Sequence, residues 1–328
     1  MHALLSRLQQ HLVWSVPGAM VLGLVAGALV DAAFLRWAIL PLTFLMVYPM
    51  MVTLNFRALA ARSGVKLQAT AFALNFVVMP LLGWGLGLVF FADAPALRLA
   101  LLLTALLPTS GMTISWTGMA RGNMPAALQM TVLGLIAGSL LAPLYLQALL
   151  GAVIEVPLAQ VARQIALIVF LPMLVGYVTQ RVLVARHGAE RFDKQLKPRF
   201  PPWSTLGVLG IVFVSMALKA PDILRAPQAL LAMVPPLLLL YALNFAIAVG
   251  VGRLAFQRGD AIALLYGTVM RNLSIALAIA MGVFGAKGAE AAMLIAMAYV
   301  VQVQGAAWSV RLNARLFGNP PAPAARSA

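Results

Sequence analysis

The sequence contains no cysteine. Disulfides, thiolate metal sites and a cysteine nucleophile are therefore excluded. It is nearly as poor in acid, with eight Asp and Glu against 23 Lys and Arg and only three His. Charged residues of both signs make up 9% of the 328 residues, where a soluble domain carries about 25%. Strand-like alternation is missing too, which argues against a membrane barrel. Such a chain cannot cover itself with hydrated surface, and the reading that remains is an integral membrane protein of helices.

What is abundant is apolar sequence. Hydrophobic residues make up 63% of the chain, in runs of the roughly 20 residues that a helix needs to cross about 30 Å of hydrocarbon. Ten runs are expected, at 12–30, 34–54, 67–91, 96–119, 125–150, 158–181, 202–219, 228–252, 260–284 and 289–312. The first could be taken for a cleaved leader. It is read here as a retained span, because the charge pattern below works only if it stays.

The net charge of +15 would suggest nucleic acid in a soluble protein. Here the basic residues fall between apolar runs, and the partners expected are the lipid bilayer and a solute, with no nucleic acid. Alternate connections carry 16 Lys and Arg on one side and six on the other, with Arg271 in neither set. That asymmetry places both termini in the cytoplasm and the chain in the cytoplasmic (inner) membrane, multi-pass.

Residues 1–11 then form a cytoplasmic N-terminus, 12–157 a first five-helix repeat, 158–314 a second, and 315–328 a Pro/Ala-rich disordered tail. The most charged connection, 182–201, is a cytoplasmic linker between the repeats. Five is odd, so the second half would sit inverted in the membrane. Two features relate the halves. Ala73-Leu74-Asn75-Phe76 recurs as Ala242-Leu243-Asn244-Phe245, and the following span in each half carries a polar break. Inverted repeats with paired interrupted helices are a transporter design.

The first break is Pro108-Thr109-Ser110-Gly111-Met112-Thr113. Pro108 removes a backbone donor, Gly111 loosens the chain, and three hydroxyls gather at one depth. The second is Gly267-Thr268 through Ser274, with Arg271 and Asn272 between. A guanidinium at mid-membrane costs roughly 3 kcal/mol on insertion scales and is kept for a purpose. Arg271 would either bind an anionic substrate or stand where a bound cation would otherwise be needed. Helix breaks are thus expected at Pro108, Gly111 and Gly267, and substrate contacts at Thr109, Ser110, Thr113, Thr268, Arg271, Asn272 and Ser274.

Plainer readings stand beside these. Pro108 alone makes a kink, and Arg271 could snorkel to an interface. Asn75, Asn244, Gln129, Thr131, Gln302 and Gln304 suit hydrogen bonds between helices. Met50 and Met51, after Tyr48-Pro49, suit packing, and Trp116 suits either core or pocket wall. All eight acids, among them Asp193 and Asp260, and all three histidines map to connections or span ends. A proton relay, a catalytic acid–base pair and a metal site therefore have no candidates at membrane depth. No enzyme is expected, and no cofactor.

In Pro108 through Thr117, in Arg121-Gly122-Asn123, in Tyr48-Pro49-Met50 and in Asn272 with Ala276 through Ala280, the chain resembles the bile acid:sodium symporter and arsenite permease superfamily. The resemblance implies ten helices arranged as panel and core domains, crossing broken helices four and nine, and alternating access. It also implies a cation site, which would fall on Thr109, Thr113, Asn272 and Ser274. Here the sequence departs. The arsenite branch has a cysteine where Thr109 stands, and both branches have a carboxylate near Ser274. Ile114 occupies an asparagine place, and Arg271 an Asn or Gln place. Sodium coupling in the family manner is therefore not expected.

The reading is a secondary transporter of a small anionic organic solute, symporter-like, with Arg271 in place of a coupling cation. An arsenite or oxyanion efflux permease is the runner-up. A non-transporting sensor or scaffold is the alternative of another class, and the paired breaks argue against it.

Overall fold

A computed structural model describes residues 7–8, 11–54, 64–225 and 227–318. Most of the N-terminus expected over 1–11, residues 319–328 of the tail expected over 315–328, and Arg57 and Arg62 of the expected cytoplasmic set lie outside the described residues. The first three residues of that expected disordered tail are instead helical, since the last helix runs on to Phe317. The fold is all helical. Among the described residues, the sole β-type pairing is an isolated antiparallel bridge between Pro108 and Arg271.

In chain order the helices are α1 (Leu12–Leu29), α2 (Ala32–Val52, opening as a 3-10 helix) and α3 (Val65–Phe90). The fourth expected span is two helices, α4 (Pro95–Leu106) and α5 (Gly111–Met119). Then come α6 (Met124–Leu150), α7 (Leu158–His187), α8 (Pro201–Arg225) and α9 (Gln228–Ala255). The ninth expected span is also split, into α10 (Arg258–Val269) and α11 (Leu273–Val283), and α12 (Gly285–Phe317) closes the chain. Seven helical stretches among the described residues are long and apolar enough to cross a membrane; α4 and α11 are shorter apolar helices.

Two expectations need correction. Gly267 does not break the ninth span: α10 runs on to Val269, and the chain unwinds at Met270–Asn272. Gly267 is instead a close-packing site, since a Cβ there would sit 2.5 Å from Met130 Sδ. The linker expected over 182–201 is not a loop either. Helix α7 continues to His187, and 189–199 forms short helical turns leading into α8. Its i,i+4 pairs Glu190–Lys194 and Asp193–Lys197 suit a helix better than a loop.

Prolines shape the helices locally. Pro80 has no N–H for the Phe76 carbonyl, and the turn before it widens to a π-helix over Leu74–Val78. The Tyr145 hydroxyl takes the freed Phe76 carbonyl. The same device recurs before Pro172, with a π-helix over Ala166–Phe170. A π turn rotates the side chains that follow it, and the first of these carries Asn75.

Helix α8 packs along α1 and α2, and α7 packs along α2. Helix α12 packs against α4 and α11, and α10 against α9. The broken helices are the dry centre: every residue of α4 from Ala96 and of α10 from Ala261 is buried. Large apolar side chains such as Trp14, Leu22, Trp37, Leu144, Leu174 and Leu231 are exposed on the outside, as a surface in contact with lipid requires.

The α1–α8 contact is backbone-close. A Cβ at Gly23 would lie 2.4 Å from the Phe213 carbonyl oxygen, and one at Gly27 only 2.1 Å from that of Ala217. Spaced four apart, these glycines let two helices touch without side chains between them. Gly27→Leu should force α1 off α8 and cost about 1–3 kcal/mol, read as a lower melting midpoint of the purified protein.

Candidate functional site

The two unwound segments meet at the centre of the protein. After α4, Leu107 is extended, Thr109 takes φ 60° and Ser110 is extended again. After α10, Met270 is extended. The two segments meet in the single antiparallel bridge, with the Asn272 amide donating to the Leu107 carbonyl at 2.8 Å. Left-handed backbone at a β-branched residue is strained by about 1–3 kcal/mol. Thr109 is held there by its hydroxyl, which donates to the carbonyls of Pro108 and Thr131 at 2.7 and 3.3 Å. Gly134 leaves room for that hydroxyl: a Cβ there would stand 2.6 Å from it.

Four helix ends converge on this crossing, and they differ in sign. Helices α4 and α10 arrive with their carbonyl ends, which carry partial negative charge. Arg271 covers both. Its Nε donates to the Thr104 carbonyl at 3.3 Å, and one Nη to the Thr268 carbonyl at 3.0 Å and to Asn75 Oδ1 at 2.6 Å. The other Nη donates to the Ala105 carbonyl. The guanidinium is thus spent on acceptors of the protein itself, and the residue is only 2% exposed. No carboxylate lies within ion-pair distance of it among the described residues.

A second layer fixes this arrangement. Asn75 Nδ2 donates to the Gly267 carbonyl at 3.0 Å, and Asn244 Nδ2 to that of Thr268 at 3.2 Å. The two asparagines picked out by the repeated motif therefore serve adjacent carbonyls of one helix end. Gln302, on α12, grips the Arg271 backbone with both ends of its amide: Oε1 accepts from the amide at 2.8 Å, and Nε2 donates to the carbonyl at 3.3 Å. The Tyr241 hydroxyl donates to the same Oε1 at 3.0 Å.

Helices α5 and α11 leave the crossing with their amide ends toward it, and these favour anions. Ser110 and Thr113 form a capping box on α5, and Asn272 Oδ1 accepts from the Ile275 amide on α11. The first amides of α11, at Leu273 and Ser274, have no acceptor within their own helix, as at any helix start. Both residues, with Ser110 and Arg271, line a cavity of about 420 Å³. Its other walls come from Met50 of α2 and Thr53 just after it, from Met112, Ile114 and Ser115 of α5, and from Ser204 and Thr205 of α8. Tyr299 closes one side, bonded to the Ser274 hydroxyl at 2.6 Å. Asp193 and Lys197 of the helical turns before α8 stand at the cavity as well.

Of the seven substrate candidates read from the sequence, Ser110, Arg271 and Ser274 line this cavity. Thr109, Thr113, Thr268 and Asn272 do not; they are buried and build the crossing behind it. The Thr268 hydroxyl returns to its own helix, at the carbonyls of Leu264 and Leu265. The four cation candidates all engage protein groups. Thr109 donates to carbonyls, Thr113 Oγ1 accepts from the Ser110 amide, Asn272 caps α11 and Ser274 pairs with Tyr299. Trp116 is half-buried in the core and off the cavity. Sequence reasoning missed Thr53, Ser204, Thr205 and the pair Asp193–Lys197. Small hydroxyls in apolar helices and charges in a linker carry no periodic signal that would single them out.

Arg121-Gly122-Asn123 locks the two broken spans together away from the crossing. The Asn123 amide donates to the Gly259 carbonyl at 2.8 Å, and its side chain to Asp260 Oδ1 at 2.6 Å. Arg258 reaches back to the carbonyls of Ala120 and Arg121.

The family model described as the sodium bile acid symporter family matches residues 40–226, more than half of the chain. The chain belongs to that family. It is a multi-pass membrane protein of a transporter family, as the paired breaks and the resemblance led one to expect. Similar to this family member are the arsenical-resistance protein Acr3 of Corynebacterium glutamicum, 23% identical over 75% of this chain and 70% of that protein, and the uncharacterized protein YbaS of Bacillus subtilis, 21% identical over 82% and 86%. The uncharacterized protein PA2026 of Pseudomonas aeruginosa is 35% identical over 38% of each chain.

Because Ser115 lines the cavity and its hydroxyl makes no hydrogen bond to a described residue, it is a place to fill the cavity without unbuilding the crossing. Ser115→Trp should raise KM by roughly tenfold or more while leaving the melting midpoint unchanged. Transport kinetics and a thermal melt on the same preparation check both halves.

Proposed function

We propose that this protein is a secondary transporter that carries a small anionic organic solute across the cytoplasmic membrane by alternating access, without a coupling sodium ion. The observation that carries the reading is the division of labour at the crossing. Arg271 neutralises the carbonyl ends of α4 and α10, so no metal cation is needed there. The amide ends of α5 and α11 are left to face the cavity, where an anion gains from both dipoles.

In this reading the chain has ten spans in two inverted five-helix repeats, with α4–α5 and α10–α11 as the interrupted pair. Helices α1, α2, α7 and α8 form the panel, and the remaining helices the core. The cavity lies between them and opens beside Asp193 and Lys197. By the charge asymmetry that end is cytoplasmic, as are both termini, so the conformation is inward-facing. Alternating access moves the core, with its crossing intact, against the panel.

A second reading is efflux of arsenite or a similar oxyanion, which the likeness to the Acr3 protein favours. Two observations weigh against it. The chain has no thiol with which to bind arsenic(III). The cavity, at about 420 Å³ with apolar walls of Met50, Met112, Ile114, Leu128 and Val208, is of the size that takes a drug-sized organic molecule.

The test is uptake into proteoliposomes of a panel of labelled organic anions, uncharged analogues of the same size, and arsenite. Saturable movement of an organic anion that its uncharged analogue does not inhibit is expected. Movement of arsenite alone would replace this reading by the second, and movement of none by the sensor or scaffold.

A further inference from the structure

A second cavity, of about 380 Å³, lies far from the crossing, where α9 ends, α10 begins and α12 ends. It is lined by Arg253, Arg258 and Arg315 together with Phe256 and Phe317. Lys66 of α3 stands at its edge, with Nζ 5.4 Å from the centre of the Phe256 ring. We propose that this cavity binds the phosphate headgroup of an anionic phospholipid.

The charge there is real and uncompensated. No carboxylate lies within ion-pair distance of Lys66, Arg253, Arg258 or Arg315 among the described residues. The nearest acid in sequence, Asp260, is already engaged by Asn123. Two of the arginines also cover carbonyls at the end of α12 that would repel an anion. Arg253 donates to the Arg315 carbonyl at 3.3 Å, and Arg258 to that of Gly318 at 2.9 Å. Arg258 is further fixed by the carbonyls of Arg121 and Ala120, so the plane of its guanidinium is held by three acceptors. The Arg315 guanidinium donates no hydrogen bond to a described residue. A planar fork of this kind is what a phosphate monoester or diester accepts in two parallel bonds.

The surroundings select a lipid over free phosphate. Leu254, beside Arg253, is 90% exposed, and Leu312 is exposed on the neighbouring helix. Apolar side chains standing out beside a guanidinium cluster match the boundary between acyl chain and headgroup. Basic pockets between spans on the cytoplasmic side attract anionic headgroups.

The experiment uses the full-length protein, delipidated in detergent, with native mass spectrometry and a thermal melt as readouts. Added phosphatidylglycerol is expected to be retained as one tightly held copy and to raise the melting midpoint, and phosphatidylcholine to do neither. Arg315→Gln, which breaks no internal bond, should weaken retention about fivefold, and R253Q/R315Q about 30-fold. The control pair R225Q/K287Q, outside the cavity, should leave it unchanged. Equal retention of the two lipids, or undiminished retention by R253Q/R315Q, overturns the proposal. Stabilisation by inorganic phosphate as large as that by phosphatidylglycerol overturns it in favour of a soluble anion. None of these outcomes bears on the solute cavity, so the transport reading stands or falls separately.

Discussion

Arg271→Ala should reduce transport to background and destabilise the protein by about 3 kcal/mol. Two effects compete. Burying the guanidinium costs roughly 3 kcal/mol on insertion scales, and its removal returns that. Against this stand four hydrogen bonds from a charged donor, to Thr104, Ala105, Thr268 and Asn75, each worth about 1.5–3 kcal/mol. The bonds win by a few kcal/mol, and the acceptors left behind lie in a dry interior. Two carbonyl helix ends would then face each other unscreened, so the crossing should splay. Arg271→Lys keeps the charge but offers three donors without a planar fork, and should keep only part of the activity. Guanidinium ion added to Arg271→Ala should restore some transport by entering the vacated space. Uptake at the wild-type rate by Arg271→Ala would remove the residue from the account altogether.

The second large effect is expected at Gln302, a residue the sequence suggests only as a contact between helices. Its amide holds both backbone groups of Arg271 and the hydroxyl of Tyr241. Gln302→Leu leaves three buried polar groups without partners, each at a cost of about 1–3 kcal/mol. Transport should fall more than tenfold, with a lower melting midpoint. Gln302→Glu keeps the acceptor for the Arg271 amide and for Tyr241, and should recover much of the stability. A melt that separates Leu from Glu while both transport normally would show that the clamp serves folding alone.

Much of this was legible in the residues. The apolar runs give the helices to within a few positions because hydrocarbon thickness sets their length. Pro108 and Arg271 mark the two breaks because a missing donor and a buried charge are costly anywhere else in a membrane. The place of Gly267 was less legible. A glycine inside a helix reads equally as a hinge or as a close contact, and only the position of Met130 decides for the contact. Nor could the sequence tell which hydroxyls face a cavity. Thr109, Thr113 and Thr268 look like ligands by type and depth, yet they turn to backbone carbonyls or amides of the crossing. The cavity wall instead uses Ser204 and Thr205 of α8, from a helix whose pattern gives no hint of it.

The most direct measurement is uptake by wild-type proteoliposomes of the anion found in the panel, once with sodium on both sides and once with choline replacing it. With Arg271 as the resident cation, the initial rates should agree within about twofold, because no coupling free energy enters through sodium. A fall of about tenfold or more in choline, equivalent to ~1.4 kcal/mol of coupling, would mean that a sodium ion binds beside Arg271 and would contradict the central claim.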